Sequence, residues 1–380
     1  MLRSLRIRNF RLLSDFRVPT LGRVNLIVGK NNSGKSTILE ALRIYAQNAN
    51  PFILDELLIG HDEVPSSTNI PAFEEDLIPY QNFFTGRVFP QGDDEEIYIG
   101  DAEENEFVKI AHTYYLEERI ETSGDEVVAT TKRTQISKRD DHEEADQALL
   151  ISSSRREQPR WMFIGEGSRP GLRRGRLTVH DTTTIPMGFV PTGLLPSGNL
   201  AELWDSIALT NFEEIVRDGL RIIEPQVSGI AFVKRDRSQP RSDSDRAAIV
   251  KLEGSPRPLP LNSMGDGMGR ILQLLLALIP AKGGLYIVDE FENGLHYSIQ
   301  ERVWDLIFEL SVSQNIQVFA TTHSWDCIEA FRNAALRKQE PAALFRVGKS
   351  IRKSDHGRVI ATLFEGESLA SITQGDVEIR

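Results

Sequence analysis

The chain has 380 residues, 40% of them hydrophobic, and a formal net charge of −11, enough length to bury a sizeable core in one large or two modest domains. The acidic balance argues against coating nucleic acid with the whole surface, though a local basic track stays open. One cysteine, Cys327, excludes a disulfide scaffold and fits a reducing cytoplasm; no run of ~18 apolar residues predicts a membrane span, and the alternating opening MLRSLRIRNF is a strand pattern, unlike a signal peptide.

In chain order, the apolar run Val24, Leu26, Ile27, Val28 precedes Gly29-Lys30-Asn31-Asn32-Ser33-Gly34-Lys35-Ser36, and an amphipathic stretch (Ile38, Leu39, Ala41, Leu42, Ile44) follows. Strand, glycine loop and helix in that order are a P-loop in its required context. The glycines let backbone N–H groups turn inward and cradle a polyphosphate at the helix N-terminus. The expected phosphate-binding set is Asn31, Asn32, Ser33, Gly34, Lys35, Ser36 and Thr37, with Lys35 on the terminal phosphates and the Ser36 hydroxyl on Mg²⁺. Asn50-Pro51 is expected to end the helix.

Residues 51 to about 185 read as an insertion of strand-like pieces, among them Ile97-Tyr98-Ile99, Phe107 to Tyr115, Val127 to Thr134 and Trp161 to Ile164. Charge is uneven here: residues 90 to 125 are acidic, whereas Arg155, Arg156, Arg160, Arg169, Arg173, Arg174 and Arg176 crowd together, with Arg235, Arg237 and Arg241 as a smaller group. Solvated loop charge, a nucleic-acid track and a docking patch for an acidic partner all remain readings of these clusters. From 196 to 225, Leu200, Leu203, Trp204, Ile207, Phe212, Ile215, Val216, Leu220 and Ile222 recur at helical spacing and predict a helical lobe with Trp204 in its core. The polar stretch 234 to 247 reads as a mobile loop.

Leu261 to Gly267 then precedes a helix so apolar (Ile271, Leu272, Leu274, Leu275, Leu276, Leu278, Ile279) that it is expected to be buried nearly all round. Its N-terminal Ser263, Gly265 and Gly267 form a second anion-binding helix end. One triphosphate does not need two such ends from one chain, but a site shared with a second chain does. Leu285-Tyr286-Ile287-Val288 is a continuous apolar run ending in Asp289-Glu290, a strand buried on both faces with two carboxylates at its tip. In this Walker B arrangement Asp289 holds the Mg²⁺ shell and Glu290 polarises the attacking water. Ile316 to Thr321 predicts another strand, and His323 at its tip is placed to sense a γ-phosphate. Ala343 to Val347 and Val359 to Phe364 are expected as the last core strands.

The order of P-loop, Ser-x-Gly-Asp-Gly, Asp-Glu-x-Glu-Asn-Gly-Leu-His and Thr-Thr-His-Ser resembles the ABC-type ATPase heads of the SMC, RecF and OLD-like group, as does the opening Leu5 to Arg11. The resemblance covers roughly residues 1 to 50 and 185 to 380. It implies an α/β P-loop NTPase head with a mixed central sheet, an antiparallel β-lobe and a helical signature lobe: 1–195 would form the first ATPase lobe with its β-rich insertion, 196–247 the helical lobe and loop, and 248–380 the second ATPase lobe. It also implies two heads clamping two ATP molecules, with Ser263, Gly265 and Gly267 serving the partner's nucleotide, Glu292 to His296 as D-loop, and Arg11 contacting adenine or phosphate. Departures are the signature itself and Phe291-Glu292 after Asp289-Glu290, which look OLD-like and argue against a transporter. No Q-loop glutamine stands out: Met187 to Val190 with Pro191-Thr192 occupies the place, and Gln226 falls later.

No heptad run long enough for a coiled-coil arm is present, and no second acidic cluster follows Asp289-Glu290 before Arg380. The expectation is therefore a cytoplasmic, Mg²⁺- and ATP-dependent ATPase that forms a homodimer or higher even oligomer, without a membrane partner, and holds a separately encoded effector. Family analogy makes that effector a nuclease or toxin in bacterial anti-phage defence. A RecF-like DNA-repair ATPase, with DNA as partner, and a transporter subunit are the alternatives.

Overall fold

The computed structural model describes residues 1–64, 79–92, 95–122, 128–136, 145–164, 183–234, 246–338 and 340–373. Its organising element is a six-stranded mixed sheet. Strand β3 (Val24–Val28) lies between β14 (Gln317–Thr322) and β15 (Ala342–Lys349); β13 (Leu285–Val288) and β9 (Met187–Val190) follow on one side, and β16 (Val359–Glu365) closes the other. All pairings are parallel except β15 with β16. Strands β3, β13 and β14 are buried at every residue, as strands covered on both faces are; β13 is apolar throughout, whereas β3 carries Asn25 and β14 carries Gln317, Thr321 and Thr322.

The two faces hold separate cores. Tyr286 and Val288 pack with α5 (Asp266–Leu276), α6 (Tyr297–Ser313) and α7 (Trp325–Lys338), whereas Leu285 and Ile287 point to the core built on α1 (Lys35–Ala46). Trp304 is fully buried on the first side, stacked on Phe291 with ring centres 3.8 Å apart. Trp204 lies in that core too, on α3 (Ser197–Ile207), which with α4 (Asn211–Leu220) makes the helical region. Helix α5 is buried from Ile271 to Leu276.

A second, wholly antiparallel sheet covers the α1 side. It runs β2 (Leu13–Val18), β1 (Leu5–Phe10), β4 (Ile97–Gly100), β5 (Phe107–Thr122), β7 (Asp146–Ser153), β8 (Arg160–Ile164), with β6 (Val128–Ile136) also on β5. A third, three-stranded antiparallel sheet joins β10 (Val227–Lys234), β11 (Arg246–Leu252) and β12 (Leu259–Pro260) beside α3.

Three details differ from the sequence reading. Asn50-Pro51 does not merely end a helix: Asn50 caps α2 (Pro51–Gly60) through a side-chain bond to the Phe52 N–H, with Pro51 at the first helical position. Strand β7 was not expected, because Ala148-Leu149-Leu150 interrupts its alternation, yet it is central in its sheet, paired with both β5 and β8. The apolar helix stops at Leu276, and Ile279–Ala281 turns as 3₁₀ around Pro280. Among the described residues no helix is long and apolar enough to cross a membrane.

Candidate functional site

The loop between β3 and α1 demands backbone that L-residues seldom adopt: φ is 153° at Gly29, 59° at Asn32 and 110° at Gly34. A Cβ on Gly29 would lie 2.4 Å from the Val347 carbonyl oxygen and 2.8 Å from Ser33 Oγ, so only glycine fits. Lys35 starts α1, and its ammonium donates to the carbonyls of Gly29 (2.7 Å) and Lys30 (2.9 Å), inside the curve of the loop. Burial lowers its pKa, while Asp289, Glu290 and Glu292 act in the opposite sense; the cation and three carboxylates thus share one locality. Ser33 Oγ is buried without a hydrogen-bond partner, a donor left over in a glycine cradle, which is what a loop built to wrap phosphate presents. Asn31, Asn32 and Ser36 are exposed, Gly34 is buried and Thr37 is buried on α1.

The two carboxylates stand just past β13 at the C-terminal edge of the sheet. Asp289 accepts from the hydroxyls of Thr321 (2.6 Å) and Thr192 (3.1 Å), at the tips of the neighbouring strands β14 and β9. Glu290 has a left-handed backbone, φ 47°, which costs a non-glycine residue about 1–3 kcal/mol. Its N–H donates to Thr321 Oγ1 (2.8 Å), and its carbonyl accepts from the Arg270 guanidinium (2.6 Å). His323, one residue past β14, turns Nδ1 to 3.2 Å from Glu292 Oε1 and 3.6 Å from Glu290 Oε1, and its N–H donates to Glu292 Oε1 (3.0 Å).

Ser-Met-Gly-Asp-Gly lies at the start of α5 and faces outward. Ser263 is exposed on a 3₁₀ turn, its hydroxyl donating to the Pro260 carbonyl (2.7 Å). Gly265 (φ 91°) has open space where a Cβ would go, whereas a Cβ on Gly267 would come within 3.1 Å of the Gly294 carbonyl. The signature turn therefore packs on the Glu292 to His296 loop. Asn293 in that loop donates to the Thr192 carbonyl (2.7 Å), and His296 caps α6.

Arg11, expected to contact the nucleotide, is held by carboxylates in this structure. Its side chain, 9% exposed, is paired with Glu40 on α1 (2.8 Å) and with Glu63 (3.0 Å), and His61 Nε2 is 2.6 Å from the same Glu40. Two buried carboxylates hold the guanidinium because neither could be buried without a cation. Gln226 lies in the turn before β10, and Thr192 occupies the expected Q-loop position next to Asp289. Of the arginine clusters, Arg155 donates to the Tyr45 carbonyl and Arg156 to Thr183 Oγ1 (3.1 Å), while Arg160 is on β8; Arg169, Arg173, Arg174, Arg176, Arg235, Arg237, Arg241 and most of the stretch 234 to 247 lie outside the described residues.

Sequence reasoning missed Arg270, and it named Thr192, Thr321 and Glu292 only by place, in the Q-loop position, in Thr-Thr-His-Ser and in the expected D-loop, without the bonds they make to Asp289 and His323. Arg270 left a signal, since with Gln273 it is a polar residue three apart from another in a helix otherwise apolar from Met268 to Leu276. The bond from Thr192 to Asp289 left none. Ser36 and Asp289 offer the oxygen donors a hard cation takes, and Mg²⁺ characteristically combines one or two such ligands with substrate phosphates. No group of three or more His, Cys, Asp or Glu side chains that could hold a metal ion occurs among the described residues.

Two family models and several known proteins are similar to this chain. Residues 1–160 match the family described as AAA ATPase domain, and residues 194–326 match an AAA domain family whose description links it to AbiEii toxin and Type IV TA systems. An ATP/GTP phosphatase of Helicobacter pylori is 24% identical over 97% of both chains. An uncharacterised protein of Methanocaldococcus jannaschii is 39% identical over 64 residues, 16% of this chain and 29% of that one. Among solved structures, the SMC head domain of Thermotoga maritima aligns over 96% of this chain and 99% of its own at 16% identity, TM-score 0.43. An SMC head bound to the C-terminal winged-helix domain of ScpA aligns over 96% and 98%, also at 16% identity, TM-score 0.47.

Proposed function

We propose that this AAA-type ATPase binds ATP with Mg²⁺ at Asn31–Thr37, hydrolyses it with Glu290 as base, dimerises through shared ATP sites, and switches a separately encoded effector. The observation that carries the reading is the convergence of Lys35, Asp289, Glu290 and the Glu292-bound His323 at the C-terminal edge of three adjacent parallel strands, where ligands of open α/β sheets bind.

Phosphoryl transfer asks mainly for positioning and charge stabilisation. Lys35 offsets charge on the terminal phosphates. Ser36 and Asp289 would hold Mg²⁺, which supplies charge neutralisation to the transferring phosphate. Glu290 takes the proton of the attacking water, and His323 turns a ring nitrogen to the γ-phosphate. The name of the Helicobacter relative makes GTP a second substrate to test.

The outward-facing Ser263 and Gly265 support the dimer, since they lie on the surface where a second chain's nucleotide could meet them. The link of the second family to a toxin system supports a nuclease or toxin effector, which we place in bacterial anti-phage defence. The test is phosphate release by the purified chain with ATP or GTP, with and without Mg²⁺, followed by a pull-down from the native host with identification of bound protein and nucleic acid. Turnover without Mg²⁺ would sink the metal assignment; recovery of DNA alone, with DNA-stimulated hydrolysis, would favour a repair ATPase over an effector switch.

A further inference from the structure

We propose that Arg270 is a positioning residue that sets the catalytic carboxylate of Glu290 from the signature helix, so that the surface offered to a second chain and the hydrolytic base of the same chain are mechanically one unit. The inference rests on the ATPase reading above and adds to it a residue that touches neither nucleotide nor metal.

Helix α5 starts at the signature turn, and one turn in, it carries Arg270, 2% exposed. Among the described residues the guanidinium meets no carboxylate. It donates to three backbone carbonyls, those of Pro191 (2.7 Å), Asp289 (2.8 Å) and Glu290 (2.6 Å), which extend from the tips of β9 and β13. Gln273, buried three residues further along, donates to the Gly193 carbonyl (3.1 Å). A helix needing only to be buried would carry apolar residues at both places. Burial depresses the Arg270 pKa, so holding the cation there carries a desolvation cost that a hydrophobic residue would avoid.

The bond to the Glu290 carbonyl explains where that cost goes. Glu290 has the left-handed backbone that only strong local restraint imposes on such a residue. Its peptide is held from both ends, by Thr321 Oγ1 at the N–H and by Arg270 at the carbonyl. Rotating or translating α5 would move the carbonyl clamp and let the backbone relax, swinging the carboxylate off the water it activates. Misplacement by about an ångström is enough to cost about 10²-fold in rate. The same guanidinium also holds the Pro191 carbonyl, beside Thr192, which positions Asp289.

The test is a double-mutant cycle of Arg270→Lys with Glu290→Gln, read as single-turnover hydrolysis, with nucleotide affinity and melting midpoint measured for each variant. Lysine keeps the charge and reaches fewer carbonyls. Arg270→Lys is expected to lower kcat roughly 10- to 100-fold with KM for ATP changed less than about 3-fold, and to have little further effect once Glu290→Gln has removed the base. Equal fold losses in both backgrounds, a KM effect with kcat unchanged, or loss of the folded state in Arg270→Lys would each overturn the proposal. Absence of turnover in the wild-type chain would instead remove the ATPase reading on which it rests.

Discussion

At the scale of single residues, the proposed function separates binding from chemistry. Lys35 is bonded to the loop it belongs to; under the proposed function it exchanges those carbonyls for phosphate oxygens, and charge-assisted bonds of that kind are worth about 1.5–3 kcal/mol each. Lys35→Ala is therefore expected to weaken ATP affinity at least about 10-fold, while Glu290→Gln keeps affinity and lowers kcat by about 10²–10⁴, the usual contribution of a general base. Turnover by Glu290→Gln within a few-fold of wild type would remove Glu290 from that role. Thr321→Val deprives Asp289 of one donor and leaves the Glu290 N–H unpaired; a loss of roughly 2–3 kcal/mol in unfolding free energy is expected, measured by urea denaturation.

His61 supplies a pH signature. Its bond to Glu40 raises its pKa above the ordinary value of 6.5, and the Arg11 charge partly opposes this. A pKa raised on folding adds stability that is fully present below the unfolded value and is lost as pH rises through the folded value. The melting midpoint should thus fall as pH climbs above about 6.5, by a modest amount because the ring is 43% exposed, and His61→Gln should flatten that slope. An unchanged slope in the variant would assign it to other groups.

At the scale of elements, close backbone approach decides which positions tolerate change. Strand β9 passes so near the end of α5 that a Cβ on Gly188 would lie 1.8 Å from the Ala277 carbonyl oxygen. Gly188→Ala is expected to destabilise by about 3 kcal/mol, at the upper end for overpacking, and to disturb Thr192 and the site with it. Ser263 on the exposed signature turn is the opposite case: Ser263→Arg should leave the melting midpoint and ATP affinity of the monomer near wild type while blocking ATP-dependent dimerisation in sedimentation experiments. A Ser263→Arg chain that still dimerises with ATP would break the link between that turn and a second copy.

At the scale of the whole molecule, the shared-site reading has its own consequence. A heterodimer of one Lys35→Ala chain and one Ser263→Arg chain retains one composite site with both halves intact, so it should recover up to half the wild-type activity per dimer. A verified heterodimer with no activity would count against shared sites. The Glu290→Gln chain should accumulate as dimer with ATP and Mg²⁺ and return to monomer when the metal is chelated, since in the proposed site Asp289 and Ser36 would reach phosphate only through the cation.

What the sequence determined by itself was local. Gly29 to Ser36 between an apolar run and an amphipathic one declares strand, loop and helix because glycine backbone freedom and a 3.6-residue period are properties of short segments; the unbroken run Leu285–Val288 likewise declares a strand covered on both faces. The tertiary structure decided which distant groups meet. Thr192 lies 97 residues from the Asp289 it supports, Arg270 79 from Pro191, and Thr321 32 from Asp289. No local spacing encodes those distances, because they follow from strand order and register in the central sheet, where β9, β13 and β14 are neighbours although far apart in the chain. Arg11 makes the same point from the other side: the sequence places it in a motif, and only the packing of Glu40 and Glu63 around it decides that its charge is spent on carboxylates.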